Sequence, residues 1–175
     1  EYFMKVSNIH LCKWVNGLSK YTVDKVSEKL TLQGLEVDEV IALGEGLKNI
    51  EVGHVLEITP HPDADKLRVC TVLVADDQKL NIVCGAKNVD AGQNVPVARI
   101  GAVLPGNFKI QKSKLRGVLS EGMICSEAEL GLADSAPGIM VLPKDAKVGV
   151  NIIDYLNLDD HIIDIDLTAN RGDCA

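Results

Sequence analysis

Aromatic side chains are scarce: one Trp, three Tyr and two Phe in 175 residues, 3% of the chain. A core must therefore rest on Val, Ile and Leu, and a site that works by stacking has few rings to draw on. No apolar run is long enough to span a bilayer, and no signal-peptide core stands near the start, so no membrane is expected as a partner. The five cysteines (Cys12, Cys70, Cys84, Cys125, Cys174) are odd in number, scattered and never in a CxxC pair. They read as reduced thiols of a cytoplasmic protein, not as zinc ligands or a disulfide frame. No P-loop or GxGxxG follows a strand. No His stands near Cys84, Cys125 or Ser126 in sequence, which gives nucleophilic catalysis little support, although a triad can assemble from distant residues.

What is present is an uneven charge. The chain carries −7 overall, which speaks against indiscriminate binding of polyanions. Between Gly85 and Leu119, however, six Lys or Arg (Lys87, Arg99, Lys109, Lys112, Lys114, Arg116) meet one acid, Asp90, a net +5 that leaves −12 elsewhere. The stretch from Lys109 to Ser126, KIQKSKLRGVLSEGMICS, is the centre of this window. In an extended chain Lys112, Lys114 and Arg116 would share a face. Gly117 and Gly122 would permit the turns that bring Ser120, Met123 and Ser126 near those charges. Cations beside small hydroxyls and one polarisable side chain suit a phosphodiester backbone with an unstacked base. The competing reading is a solvated edge strand guarded by lysines.

Along the chain, residues 5–35 read as helical, with Leu11, Trp14, Val15 and Leu18 at helical spacing. Thr22 is the expected N-cap of a second helix, Val23, Val26 and Leu30 its buried stripe, and Gly34 its stop. Trp14 reads as core, with a stacking platform as the alternative. From Leu35 to about Leu104 the period becomes that of strands, with Val52–Thr59, Leu67–Val74, Leu80–Cys84 and Val95–Ile100 as the clearest and Asp76-Asp77 at a hairpin turn. Ile139–Leu142 reads as a further strand, Val150–Leu158 as a short helix and Ile162–Leu167 as a strand with one wet face. The expected class is α+β, mainly β, with a five-stranded antiparallel barrel inserted into a small α/β outer domain. Residues 4–40 and 151–175 would form the outer domain, and 41–150 the barrel. Glu1-Tyr2-Phe3, ahead of Met4, reads as a tag remnant.

The loop from Pro60 to Leu67, PHPDADKL, is the most distinctive. Its His61, Asp63 and Asp65 are metal-ligand types, yet no further ligand stands at convincing spacing, so no metal site is expected. The other reading is structural: Asx-turns from the two Asp, with the prolines fixing φ between two strands. Lys66 would extend the basic face. Arg171-Gly172-Asp173 reads as coincidence, with no adhesive role.

HPDADKLRVC, followed by VCGAKNV, KSKLRGVLSEGM and ICS, resembles the tRNA-binding OB-fold domain shared by several synthetase-associated proteins. MKVSNIHLCKWV, LTLQGLEVDEV and IIDIDLTANRGDC extend the likeness to the N-terminal part of the bacterial phenylalanyl-tRNA synthetase β subunit. The resemblance implies a piece of a subunit of an α2β2 enzyme, with a phenylalanyl-tRNA synthetase α subunit as partner, that uses ATP and Mg2+ to esterify phenylalanine to its tRNA. It implies no catalytic residue and no cofactor within these residues. The family's RNA contacts map onto Lys114, Arg116, Ser120, Met123 and Ser126, with Asn88 and Lys66, while Lys109 and Lys112 rest on the charge argument alone. No DNA partner is expected. An alternative is a protein-binding or assembly module on the same barrel with negligible tRNA affinity.

Overall fold

The structure, a computed structural model, describes residues 2–167. In chain order its first elements are β1 (Tyr2–Ser7), α1 (Asn8–Trp14), α2 (Val23–Leu32), β2 (Glu36–Ala42), β3 (Lys48–Pro60), β4 (Arg68–Leu73) and β5 (Lys79–Cys84). They are followed by β6 (Asn94–Leu104), β7 (Phe108–Lys109), β8 (Ser113–Leu115), β9 (Val118–Ser120), β10 (Gly122–Ile124), α3 (Ile152–Leu156) and β11 (His161–Leu167). Two compact units result, one from the described residues up to Gly44 and from Asn157 on, the other from Glu45–Leu156.

The first unit is a three-stranded antiparallel sheet, ordered β1-β11-β2, with two helices on it. Alternation in β11 puts Ile163, Ile165 and Leu167 into the core with Val26 of α2, but the other face is not wet as expected, since Asp164 is 9% exposed and pairs with Lys5 at 3.3 Å. Thr22 caps α2 by accepting from the Lys25 amide at 3.4 Å, and Gly34 (φ 87°) ends it as the Leu35 amide reaches back to the Leu30 carbonyl. Two more expectations fail here. Residues 5–7 are strand, because Val6 and Ser7 pair in register with Ile163 and Ile162. Trp14, read as core, is 78% exposed at the last turn of α1, its ring 6.2 Å from that of His10; helical spacing placed it correctly along the helix, but no residue of α1 is fully buried. At the far edge Asp160 accepts from the Ser7 hydroxyl and the amides of Ile9 and His161. Burial works against its charge, yet those donors outweigh it and hold the carboxyl below the usual range.

The second unit is a curved antiparallel sheet in the order β10-β6-β3-β4-β5, with β7 added on β6. Asp76 and Asp77 (φ 57° and 54°) make the tight β4–β5 connection. Val55, Cys70, Val72, Ile82, Val95 and Val97 fill the interior and are fully buried, in keeping with a core built on β-branched residues. Each such side chain contributes roughly 1.5–3 kcal/mol. Burial pushes the Cys70 thiol up to about 11 and the Cys125 thiol up to about 12. The strand order is that of an OB-like barrel, but the sheet does not close by a ladder between β10 and β5 among the described residues. Closure is limited to the Glu121 amide donating to the Asn81 carbonyl at 2.8 Å and the Val83 amide donating to Ser120 Oγ at 3.1 Å. Ile139–Leu142 is not a strand; only Leu142 bridges, to Asn94. Arg171-Gly172-Asp173 and Cys174 lie outside the described residues. No described helix is long and apolar enough to cross a membrane.

Candidate nucleic-acid interface

β8 and β9 form a separate two-stranded ribbon with three pairs, Ser113 with Ser120, Lys114 with Leu119 and Leu115 with Val118. Arg116 and Gly117 are its two-residue turn, both with positive φ (43° and 91°), the mirror-image geometry that suits the twist of a hairpin. Gly117 meets this without strain, whereas an L residue such as Arg116 pays roughly 1–2 kcal/mol for it. The turn ends the extended run, so Lys112, Lys114 and Arg116 do not continue along one face as expected. Lys114 sits on β8. Lys112 precedes the strand and pairs with Glu121 at 3.4 Å. Arg116 swings back, its Nη1 donating to the Asp63 carbonyl at 3.5 Å. Arg99 is also engaged: it pairs with Glu51 at 3.2 Å and donates to Gln78. Burial raises the Glu51 carboxyl above its usual range, against the pull of Arg99. Ion pairs thus occupy Arg99 and Lys112, and leave Lys66, Lys87, Lys109, Lys114 and Arg116 exposed without an acidic partner among the described residues.

The polar residues of the same motifs do different work. Ser120 is 2% exposed; its Oγ accepts from the Val83 amide and donates to the Gly122 carbonyl at 3.0 Å. Both bonds hold Ser120 in the barrel seam, at the wall of the groove described below. Ser126 and Glu129 form a reciprocal capping box, with Ser126 Oγ accepting the Glu129 amide and Glu129 Oε2 accepting the Ser126 amide and hydroxyl. Asn88 is likewise engaged, its side-chain amide donating to the Ile139 carbonyl at 2.8 Å and accepting the Ile139 amide at 3.0 Å. That clamp leaves no room at Gly138, where a Cβ would stand 2.2 Å from Asn88 Oδ1. Gly122 makes no turn either; a Cβ there would lie 2.8 Å from the Ala98 carbonyl oxygen, so its role is close approach of β10 to β6.

A groove of about 600 Å³ opens beside β5, β7 and β10, with Phe108, Leu115, Pro137 and Ile139 in its walls. Lys109, Ser120, Met123 and Ser126 line it; Lys66, Asn88, Lys112, Lys114 and Arg116 do not. Phe108 is 58% exposed, a ring that sequence reasoning passed over because aromatics were few. His61, read above as a candidate ligand or part of a structural turn, has a different role. It is 5% exposed, its Nδ1 bonded to the Asp63 amide and its Nε2 to the Leu115 carbonyl, both at 3.1 Å. These bonds place the His61 loop against the hairpin tip and occupy both ring nitrogens. No three His, Cys, Asp or Glu gather as a possible metal group among the described residues.

The arrangement is a small barrel with free cations on a projecting ribbon, a geometry for polyanion contact through phosphates. Comparison with known proteins agrees with it. The chain is 51% identical over 98% of its length to the phenylalanine–tRNA ligase beta subunit of Acinetobacter baylyi, and 56% identical over 92% to that of Francisella tularensis. It spans about a fifth of the length of these curated relatives, 21% of each. The solved C-terminal domain of Plasmodium vivax p43 is 25% identical, covering 62% of this chain and 61% of that one, with a TM-score of 0.44. Residues 50–151 match the family described as a putative tRNA binding domain, and with more than half of its length so matched the chain belongs to that family.

Proposed function

We propose that the barrel binds tRNA through phosphate contacts from Lys66, Lys109, Lys114 and Arg116, and catalyses nothing itself. The observation that carries this reading is the set of exposed, unpaired cations on and beside the β8–β9 ribbon, in a chain that is otherwise acidic and belongs to a tRNA-binding family. Near-absence of exposed rings on the ribbon favours recognition of backbone shape over base sequence. In the longer protein that the relatives represent, this region would be the N-terminal part of a phenylalanine–tRNA ligase β subunit. It would act in the cytoplasm beside an α subunit in an α2β2 tetramer, with ATP and Mg2+ used elsewhere in that assembly.

A second reading, an assembly module that binds protein, draws on the exposed apolar residues Phe108, Leu115 and Leu119. NMR titration of this chain with tRNA separates the two. The RNA reading expects amide shifts at Lys109–Gly117 and at Lys66. An unperturbed spectrum at saturating tRNA would instead favour the assembly module.

A further inference from the structure

Two loops far apart in sequence meet at the ribbon tip. The His61 loop is framed on itself, its first amide donating to the Leu67 carbonyl at 3.1 Å and the Leu67 amide to the Ala64 carbonyl at 3.0 Å. Its base is the end of the β3–β4 ladder, where Pro60 pairs with Arg68. The β8–β9 ribbon has no such frame. Among the described residues it pairs with no other strand, every residue of β8 is exposed, and a lone ribbon of three pairs is marginal in water. Its base is tied by Ser120 to Val83, but its tip holds a strained Arg116.

We propose that His61 is the positioning residue of the RNA-contacting ribbon, a latch from the framed loop to the residue just before Arg116; this rests on the tRNA-binding reading. The Asp63 amide donates to Nδ1, so Nδ1 bears no proton and Nε2 carries it, donating to the Leu115 carbonyl. The Arg116 bond to the Asp63 carbonyl and the proximity of Gly117 to the Asp63 carboxylate, 3.8 Å from where a Cβ would stand, continue the same contact. The loop carries Asp63 and Asp65 against Lys66, a net charge of −1, so what it offers the ribbon is not attraction for a phosphate. What it supplies is order. A tip that is already fixed does not have to be immobilised when the phosphate arrives, and that saved entropy appears as affinity.

Two substitutions divide the roles of the ring. His61→Asn keeps an acceptor for the Asp63 amide and loses the reach to Leu115; His61→Gln restores a donor near the Nε2 position. The account expects amide exchange across Ser113–Val118 to rise roughly tenfold in the Asn variant, the scale of one net hydrogen bond. It also expects tRNA affinity to fall several-fold with the salt slope unchanged, and Gln to recover both. Unchanged exchange in the Asn variant, or a Gln variant as impaired as Asn, overturns the latch. Should the Asn variant not fold, the imidazole 15N spectrum of the unsubstituted protein decides: protonated Nε2 with bare Nδ1 supports the latch, and the opposite tautomer refutes it. If the unsubstituted protein fails to bind tRNA, the functional reading falls, while exchange and tautomer still judge the latch.

Discussion

The ribbon tip and the barrel seam lie only four positions apart, Arg116 and Ser120, yet they are opposite in character. At the tip, Lys114 and Arg116 are exposed and have no acidic partner among the described residues, and the turn is strained. At the seam, Ser120 is buried and its hydroxyl has two backbone partners; Asn88 clamps the backbone of Ile139 in the same manner. The contrast separates a recognition motif into a part that holds the barrel together and a part left free for a ligand. Stability and RNA affinity should therefore respond to different residues.

The largest stability loss should follow Asn88→Ala, about 2–4 kcal/mol, since two hydrogen bonds go and a buried backbone amide and carbonyl lose their partner. Ser120→Ala should cost about 1–2 kcal/mol by freeing the buried Val83 amide. Urea unfolding measures both, and alkylation of Cys70 and Cys125 offers a second readout, since burial keeps these thiols protonated at ordinary pH until the barrel opens. At the tip, Arg116→Asn should cost no stability and add up to about 1 kcal/mol, because Asn tolerates the left-handed turn better; yet it should weaken tRNA binding. Loss of stability with Arg116→Asn, or a changed salt slope of tRNA binding with a folded Ser120→Ala protein, would erase the contrast. The smallest effect concerns pH. Burial raises the Glu51 carboxyl, so its contribution is full below its ordinary value of 4.5 and is lost as pH rises through the raised value. Glu51→Gln should flatten that fall in a series of urea midpoints.

Much of the architecture is legible in the sequence. Alternation in Ile162–Leu167, the Thr22 cap, the Gly34 stop and the Asp76-Asp77 turn are local signals, and each appears where the local physics puts it. The site was less legible for reasons that lie in tertiary pairing. Charge counting saw Lys112 and Arg99 but not their partners Glu121 and Glu51, which approach only after strands fold together. Ser120 and Asn88 carry the side chains of a binding surface, and nothing in sequence says that Val83 and Ile139 will use them first; Ser126-x-x-Glu129 is a capping-box spacing that was legible and was passed over. Trp14 followed a helical stripe of which only part packs: Leu11 of α1 meets the core half-buried, while Trp14 stays exposed. His61 looked like a candidate ligand or a turn residue because its partner, Leu115, lies 54 residues away.

The central claim is that Lys114 and Arg116 meet tRNA phosphates, and the salt dependence of binding tests it most directly. Each phosphate neutralised contributes roughly 0.7–0.9 to the slope of log affinity against log salt. Replacing Lys114 by Ala and Arg116 by Asn together should flatten that slope by about 1.4–1.8 while urea unfolding stays near that of the parent. A folded double variant with the parent's slope would contradict the account.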